Sequence, residues 1–285
     1  MASLNRWRFL SSGFSDAYTN MAVDEALFLE RISGNTPSTF RIYSWRPAAY
    51  SFGYFQKVEK ELDLPVCGSK GIDVVRRMTG GGIIYHDQEL TYSITCSKDD
   101  LKTANIKGSF KELCSFIIKG YEKMGIKADF ADEVNSAKKN KREFSSFCFN
   151  SNEESDLIVE GKKIGGNAQR RRKNIIFQHG SIPIRIDIEK SIANLHKPPC
   201  DIEKNISSLE SILKKKLTFS EVEHILIESF RETFRVEMEA GSLTEKEEKL
   251  ADELRESKYL NLKWKLNSRT DLCNCVKKEN YANCC

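Results

Sequence analysis

No apolar run in this 285-residue chain approaches the length of a membrane span, so a helical membrane protein is not expected. The N-terminal stretch Met1-Ala-Ser-Leu-Asn-Arg-Trp-Arg8 lacks the apolar core of a secretory signal. Basic residues never form a dense stripe interleaved with aromatics, and a net charge of +4 gives no reason to invoke nucleic acid. Paired Cys-x-x-Cys knuckles are missing. Cys273-x-Cys275 and Cys284-Cys285 have the wrong spacing for a zinc centre, so no metal is expected. The nine cysteines are scattered, several inside apolar segments, which argues against a disulfide framework and for a reducing cytoplasm. Internal repeats are absent, and so is the strand–helix alternation of a doubly wound sheet.

Apolar content of 40% and charged content of 30% describe a globular protein long enough to bury a substantial core. A helix is predicted from Ser15-Asp16 through Leu29, with Met21, Ala22, Glu25, Phe28 and Leu29 along its buried side and Asp24 elsewhere. Thr39–Trp45 alternates like a half-buried strand, and Ala49–Phe55 reads as another, in which Gly53 marks a bulge or a close backbone approach. Val74-Val75 and Ile83–Tyr85 bracket three glycines as strands, and Leu90–Cys96 is expected to pair as the next one. Ser109-Phe-Lys-Glu112 reads as a capping box for a helix to about Met124, with Phe110, Leu113, Ile117 and Tyr121 inward. Leu157–Val159 and Ile175–Phe177 are short strands. Thr218-Phe-Ser-Glu221 caps a further helix, and Thr244 begins a last, charged one ending near Ser257. Residues 131–146 read as a mobile lysine-rich loop, and Arg170-Arg-Arg-Lys173 as a solvated turn. Strands in antiparallel-looking order, with helices before, between and after, imply an α+β domain.

Five segments carry candidate chemistry. Arg76-Arg-Met-Thr-Gly-Gly-Gly-Ile-Ile-Tyr-His-Asp87 combines fixed positive charge with bare backbone amides, which suits a carboxylate, a thioester carbonyl or a phosphate. The same glycines also fit a plain hairpin turn. Gly161-Lys-Lys-Ile-Gly-Gly-Asn-Ala-Gln169 is a second glycine-rich hairpin, whose lysines either face solvent or hold an oxygen in a cleft. His179, in Gln178-His-Gly-Ser-Ile182, reads as site wall or support rather than as a base. Cys148 lies between phenylalanines as an inert thiol, unless a nearby lysine lowers its pKa. The cysteine-rich tail completes the set.

Together these residues resemble the lipoate–protein ligase and octanoyltransferase family, over about residues 8 to 262. The resemblance rests on Asn20-Met-Ala-Val-Asp-Glu25, Phe40-Arg-Ile-Tyr-Ser-Trp45, Ser51-Phe-Gly-Tyr-Phe-Gln56, Arg76–Gly82, Tyr85-His-Asp87, Lys163–Gln169, His179-Gly180 and Lys258-Tyr259. It implies a biotin/lipoate ligase-like (class II) catalytic domain over 1–262, with a mixed, largely antiparallel central sheet, a smaller second sheet and flanking helices. Residues 263–285 are expected to be a flexible tail. It implies an acyl pocket whose substrate-binding residues are Arg76, Gly80, Gly81, Gly82, His86, Gly165, Gly166, Asn167 and His179, with Lys163 contacting the acyl carbonyl.

Two features resemble the cysteine-dependent octanoyltransferase branch. Glu89-Leu-Thr-Tyr-Ser93 follows His-Asp where typical ligases carry Gly-Asn, and Cys148 precedes Lys163 in the register of that branch's nucleophile. Met78 departs from the branch's usual proline, and Asn150–Asp156 from its usual Ser-Tyr-Glu-like pattern. The implied activity is octanoyl (or lipoyl) transfer with Cys148 and Lys163 catalytic and no cofactor. The donor is acyl carrier protein, and the acceptors are lipoyl domains of glycine cleavage H protein or 2-oxoacid dehydrogenase E2. The alternative is a lipoate–protein ligase using ATP and Mg, against which the few residues after 262 weigh, being too short for an accessory domain.

Overall fold

The computed structural model describes residues 5–103, 105–131 and 156–266. In chain order the strands are β1 (Arg6–Ser15), β2 (Thr39–Trp45), β3 (Ala49–Phe52), β4 (Asp73–Arg76), β5 (Ile84–His86), β6 (Glu89–Ser97), β7 (Asp129–Phe130), β8 (Leu157–Val159), β9 (Lys162–Lys163), β10 (Asn167–Arg172), β11 (Ile175–Pro183) and β12 (Glu237–Ala240). Six of them form one mixed sheet in the order β10-β11-β6-β2-β1-β12. Its contacts are antiparallel from β10 to β2 and parallel where β1 meets β2 and β12. The implied smaller sheet is present as β4-β3-β5, and a third, β7-β8-β9, was not foreseen.

Helices cover both faces of the large sheet. Helix α1 (Ala17–Ile32) starts where predicted because the Asp16 side chain accepts the Thr19 amide. It packs beside the helix Glu245–Leu254, which starts at Thr244 as expected and is closed there by a Thr244/Glu247 capping box. The opposite face carries the helices Ile106–Lys123 and Phe219–Phe234, the second capped by Thr218 and Glu221. There Phe40 of β2 stacks on Phe230 at 4.2 Å between centroids and meets Phe116 edge-on at 5.3 Å. The helix Ile106–Lys123 begins one turn before the expected box: Asn105 caps it, while Glu112 takes the Lys102 and Thr103 amides of the incoming loop.

With helices on both sides, β2 is buried at all seven positions rather than half-buried. The pleat sorts its residues. On β6, Leu90, Tyr92, Ile94 and Cys96 enter the main core, so Thr91, Ser93 and Thr95 point toward α1. The polar half of the alternation therefore faces a buried polar layer under α1. Arg170–Arg172 belong to β10 rather than to a solvated turn, which is confined to Lys173, at a φ of 53°, and Asn174. The helix Leu262–Leu266 runs across the boundary expected at 262 and buries Trp264. The loop expected over 131–146 and the cysteines of the tail fall, all but residue 131, outside the described residues.

Candidate active site

The glycine segment is not a hairpin. β4 and β5 flank β3, which runs parallel to β4 and antiparallel to β5, so Gly80–Gly82 crosses over the end of β3. That crossing needs Gly53, where a Cβ would lie 2.0 Å from the Gly81 carbonyl oxygen; the predicted close backbone approach is there. Arg77 fixes the loop from within. Its terminal nitrogens donate to the Gly80 and Gly82 carbonyls at 3.0 and 2.9 Å and to the Ser51 carbonyl and hydroxyl at 2.8 Å each.

Arg76, expected on the pocket wall, turns the other way. Its guanidinium donates to the carbonyls of Tyr54 (2.7 Å), Gln56 (2.9 Å), Trp264 (2.9 Å) and Lys265 (2.9 Å) and more weakly to that of Gly53 (3.4 Å). Consecutive residues of an extended chain face opposite sides, and Arg77 is the one that faces inward.

Two buried imidazoles lie beside the loop. His86 Nδ1 contacts Glu89 Oε1 at 2.7 Å, and its Nε2 contacts the Ser51 hydroxyl at 2.5 Å. Because Arg77 already donates to that hydroxyl, Ser51 donates onward to Nε2, which puts the imidazole proton on Nδ1. Trp45 stacks on His86 with centroids 3.9 Å apart. The second imidazole, His179 of β11, lies between Thr79 Oγ1 (2.8 Å from Nε2) and Asp24 Oδ2 (3.7 Å from Nδ1).

Asp24 is the hub of the polar layer. It accepts from Arg41 at 2.7 Å and from the hydroxyls of Tyr43 and Ser93 at 2.8 Å each. Burial pushes the Asp24 carboxyl up, but Arg41, His179 and Ser93 outweigh it and hold it below the ordinary carboxylate range. Burial pushes His179 below its ordinary value, outweighing the attraction of Asp24.

The second glycine-rich segment supplies the opposite wall. A turn at Glu160-Gly161 joins β8 to β9, and the chain then passes through Ile164-Gly165-Gly166 into β10. Gly180 of β11 has no room for a Cβ, because Asn167 Oδ1 would lie 2.1 Å from it; that oxygen accepts from the Tyr92 hydroxyl at 2.8 Å. Lys163 is fully buried, its Nζ 2.7 Å from Asp156 Oδ2. Cys148 lies outside the described residues. Of the described cysteines, burial pushes the thiol of Cys67 up to about 11 and that of Cys114 to about 12, and raises that of Cys96 as well.

Between the walls is a cavity of about 400 Å³, within the roughly 300–1,000 Å³ usual for small-molecule sites. Gly80, Gly81, His86, Gly166, Asn167 and His179 line it; Arg76, Gly82, Lys163 and Gly165 do not. Ile106 stands at its mouth 68% exposed, with Phe110 and Arg171 half-buried beside it. Arg171 donates to Ser109 Oγ, tying β10 to the helix Ile106–Lys123. Trp45 and His86 close the deep end, each 3% exposed.

A family described as the lipoyl protein ligase A/B catalytic domain matches residues 16–231, which carry both walls of this cavity. The chain belongs to that family. Among relatives of the lipoyl ligase family, octanoyltransferase LipM of Brevibacillus brevis is 35% identical over 276 residues, covering 92% of this chain and 99% of the relative. Octanoyltransferase LipM of Oceanobacillus iheyensis is 36% identical over 264 residues, covering 89% and 94%. Among solved structures, lipoate-protein ligase A bound with ATP superposes with a TM-score of 0.75 at 26% identity, covering 92% of this chain and 98% of that one. A T. acidophilum lipoate protein ligase with bound lipoic acid also gives 0.75 at 26% identity, covering 93% and 100%.

Sequence reasoning missed four residues that line or back this cavity. Arg77 was passed over for Arg76, and Asp24 was set aside as off the buried face of α1. Trp45 and Glu89 entered only as marks of resemblance. Parity along β2, with Arg41, Tyr43 and Trp45 all facing α1, was the available signal that a buried carboxylate awaited them.

Proposed function

We propose that this chain carries an octanoyl group from an acyl carrier protein thioester to a lysine of lipoyl domains, those of glycine cleavage H protein or 2-oxoacid dehydrogenase E2, through a thioester on Cys148. Octanoyl transfer is the activity for which relatives at about 35% identity over nine-tenths of the chain are named. The observation that carries the acyl part of the reading is the 400 Å³ cavity, open between the Gly80-Gly81 loop and Ile106 and closed by the Trp45–His86 stack. Each methylene buried there contributes about 0.8 kcal/mol.

In the first step the Cys148 thiolate attacks the donor carbonyl carbon. The bond from that carbon to the carrier's sulfur breaks, and the carrier thiol leaves with a proton. In the second, the neutral amine of the lipoyl-domain lysine attacks the same carbon, an amide C–N bond forms, and Cys148 departs as thiolate. The surplus amine proton passes to solvent. The groups assigned to the oxyanion of both steps are the amides near Gly165-Gly166, of which Gly166 lines the cavity, and the charge of Lys163, which acts from behind that wall where it pairs with Asp156. Neither step calls for ATP or Mg; the alternative, an ATP-dependent lipoate ligase, shares the fold at 26% identity but is not the activity named for the relatives at about 35%.

The test is transfer to an apo lipoyl domain from octanoyl-acyl carrier protein without ATP, run beside octanoate with ATP and Mg. We expect product in the first mixture and none with Cys148→Ser. Product only in the second mixture, or full-rate transfer by Cys148→Ser, overturns the proposal.

A further inference from the structure

The deep end of the cavity is built around a carboxylate that does not reach the cavity surface. Glu89 Oε1 accepts from His86 Nδ1 at 2.7 Å and from the Thr91 hydroxyl at 2.6 Å, and Oε2 accepts from the Ser181 hydroxyl at 2.5 Å. The Thr91 oxygen in turn accepts the Trp45 indole N–H at 2.7 Å. His86, Thr91, Ser181 and Trp45 all line the cavity, yet every side-chain proton they could offer a ligand is directed into the protein, toward Glu89 or Thr91. Arg77, the cation on the same wall, has its terminal nitrogens committed to Ser51, Gly80 and Gly82.

Ser51, His86 and Glu89 are spaced like a hydrolase triad. Ser51 is fully buried and off the cavity wall, so the array cannot present a nucleophile. It acts as a brace.

We infer that Glu89 is a specificity-determining residue. By drawing in the donors of the deep end and placing a buried negative charge behind them, it reserves that end for a plain hydrocarbon terminus and rejects acyl chains that end in a carboxylate. The inference rests on the acyl reading of the cavity. A terminal methyl meets the faces of Trp45 and His86 and the side chain of Ile84, where it needs no partner. A terminal carboxylate in the same place loses water, finds the side-chain protons of His86, Thr91, Ser181 and Trp45 already engaged, and faces the charge of Glu89 behind them. A terminal hydroxyl is intermediate, since it brings its own proton and can donate to the remaining lone pairs of Ser181 or Thr91. Hydrophobic pockets reject such a hydroxyl by no more than about 100-fold.

The experiment is calorimetric binding of three pantetheine ligands to the whole protein: octanoyl, 8-hydroxyoctanoyl and 7-carboxyheptanoyl, each joined through an amide in place of the thioester that Cys148 would open, so that binding is read without acyl transfer. The expected order of affinity is octanoyl, then hydroxyl, then carboxylate, with the extremes at least 100-fold apart. In Glu89→Gln the buried charge is gone and one amide donor replaces an acceptor, so the octanoyl-to-carboxylate ratio should shrink at least tenfold. A role in folding alone would weaken all three ligands together and leave the ratio unchanged, which would refute the assignment to Glu89. Carboxylate binding equal to octanoyl in the wild type overturns the inference without any variant and spares the transferase reading. Binding of none of the three overturns both. If octanoyl binds but no transfer occurs, the transferase reading fails and the inference stands or falls on the ratio.

Discussion

Arg76 and Arg77 are neighbours in sequence and hold opposite sides of one glycine loop. Outside, Arg76 binds the carbonyls of Trp264 and Lys265, and the segment it grips continues into Tyr259 and Lys258, which clasp Glu25 of α1 at 2.6 and 2.7 Å. Inside, Arg77 leads through Ser51 to His86 and Glu89 at the end of the cavity. Both sides use buried charge, but for different ends. The outer set links distant segments of chain, 188 residues apart in the case of Arg76 and Trp264, and does not line the cavity between the two glycine-rich walls. The inner set links residues that line or back the cavity. Burial and charge alone therefore do not mark a functional group; what it is aimed at does.

The comparison predicts separable losses. The largest is on the outside. Lys258→Met leaves the Glu25 carboxylate with the Tyr259 hydroxyl in a place where its side chain is only 12% exposed. Removing one partner of such a pair costs about 3–5 kcal/mol. Chemical denaturation should show that loss, while the order of affinity among the three acyl ligands stays the same. A stable variant with altered ligand preference would mean that the outer clasp belongs to the site.

Next in size is the pair Arg77→Lys and Arg76→Lys. A lysine cannot reproduce a planar fork that serves four acceptors, so Arg77→Lys frees the Gly80 and Gly82 carbonyls and lets the loop relax toward the cavity. Transfer should fall about 10- to 100-fold, or about 1.4–2.8 kcal/mol of transition-state stabilisation. Arg76→Lys should lower the denaturation midpoint further than Arg77→Lys does, with transfer per folded molecule within a few-fold of wild type. Equal kinetic losses in the two variants would erase the distinction between the sides.

Local signals were legible and parity was not. Asp16, Thr218 and Thr244 could be read as helix starts because a cap is made by residues three positions apart. Gly53 could be read as a close approach, though not that Gly81 approaches it. Strand pairing depended on partners far along the chain: β6 joins β2 and β11 rather than β5, and β3 separates β4 from β5. The choice of Arg76 over Arg77 needed the phase of an extended segment, which one residue's shift inverts. Asp24 was missed because an acid on a helix is ordinarily a solvated face, and only the polar sides of β2, β6 and β11 converging beneath α1 make it a buried hub.

The smallest effect separates the two sides by pH. Burial depresses His179 from an ordinary value of 6.5, so below that pH the unfolded chain binds a proton that the folded chain refuses. Its stabilisation is complete above about pH 6.5 and is lost as pH falls toward the lower folded value. The groups facing it are Asp24, Arg77 and His86, all on the inner side. On the outer side, burial raises the Glu25 carboxyl, but Lys258 and Tyr259 outweigh it and keep it below 4.5, so its contribution persists until pH falls below that range. Between about pH 6.5 and 5, stability should decline by no more than about 1.4 kcal/mol per pH unit for this one proton. Urea midpoints across that interval should show the slope in Lys258→Met as in wild type, and a shallower one in His179→Gln. A midpoint that stays level or rises on acidification would show that His179 is not held neutral by its burial between Asp24 and Thr79.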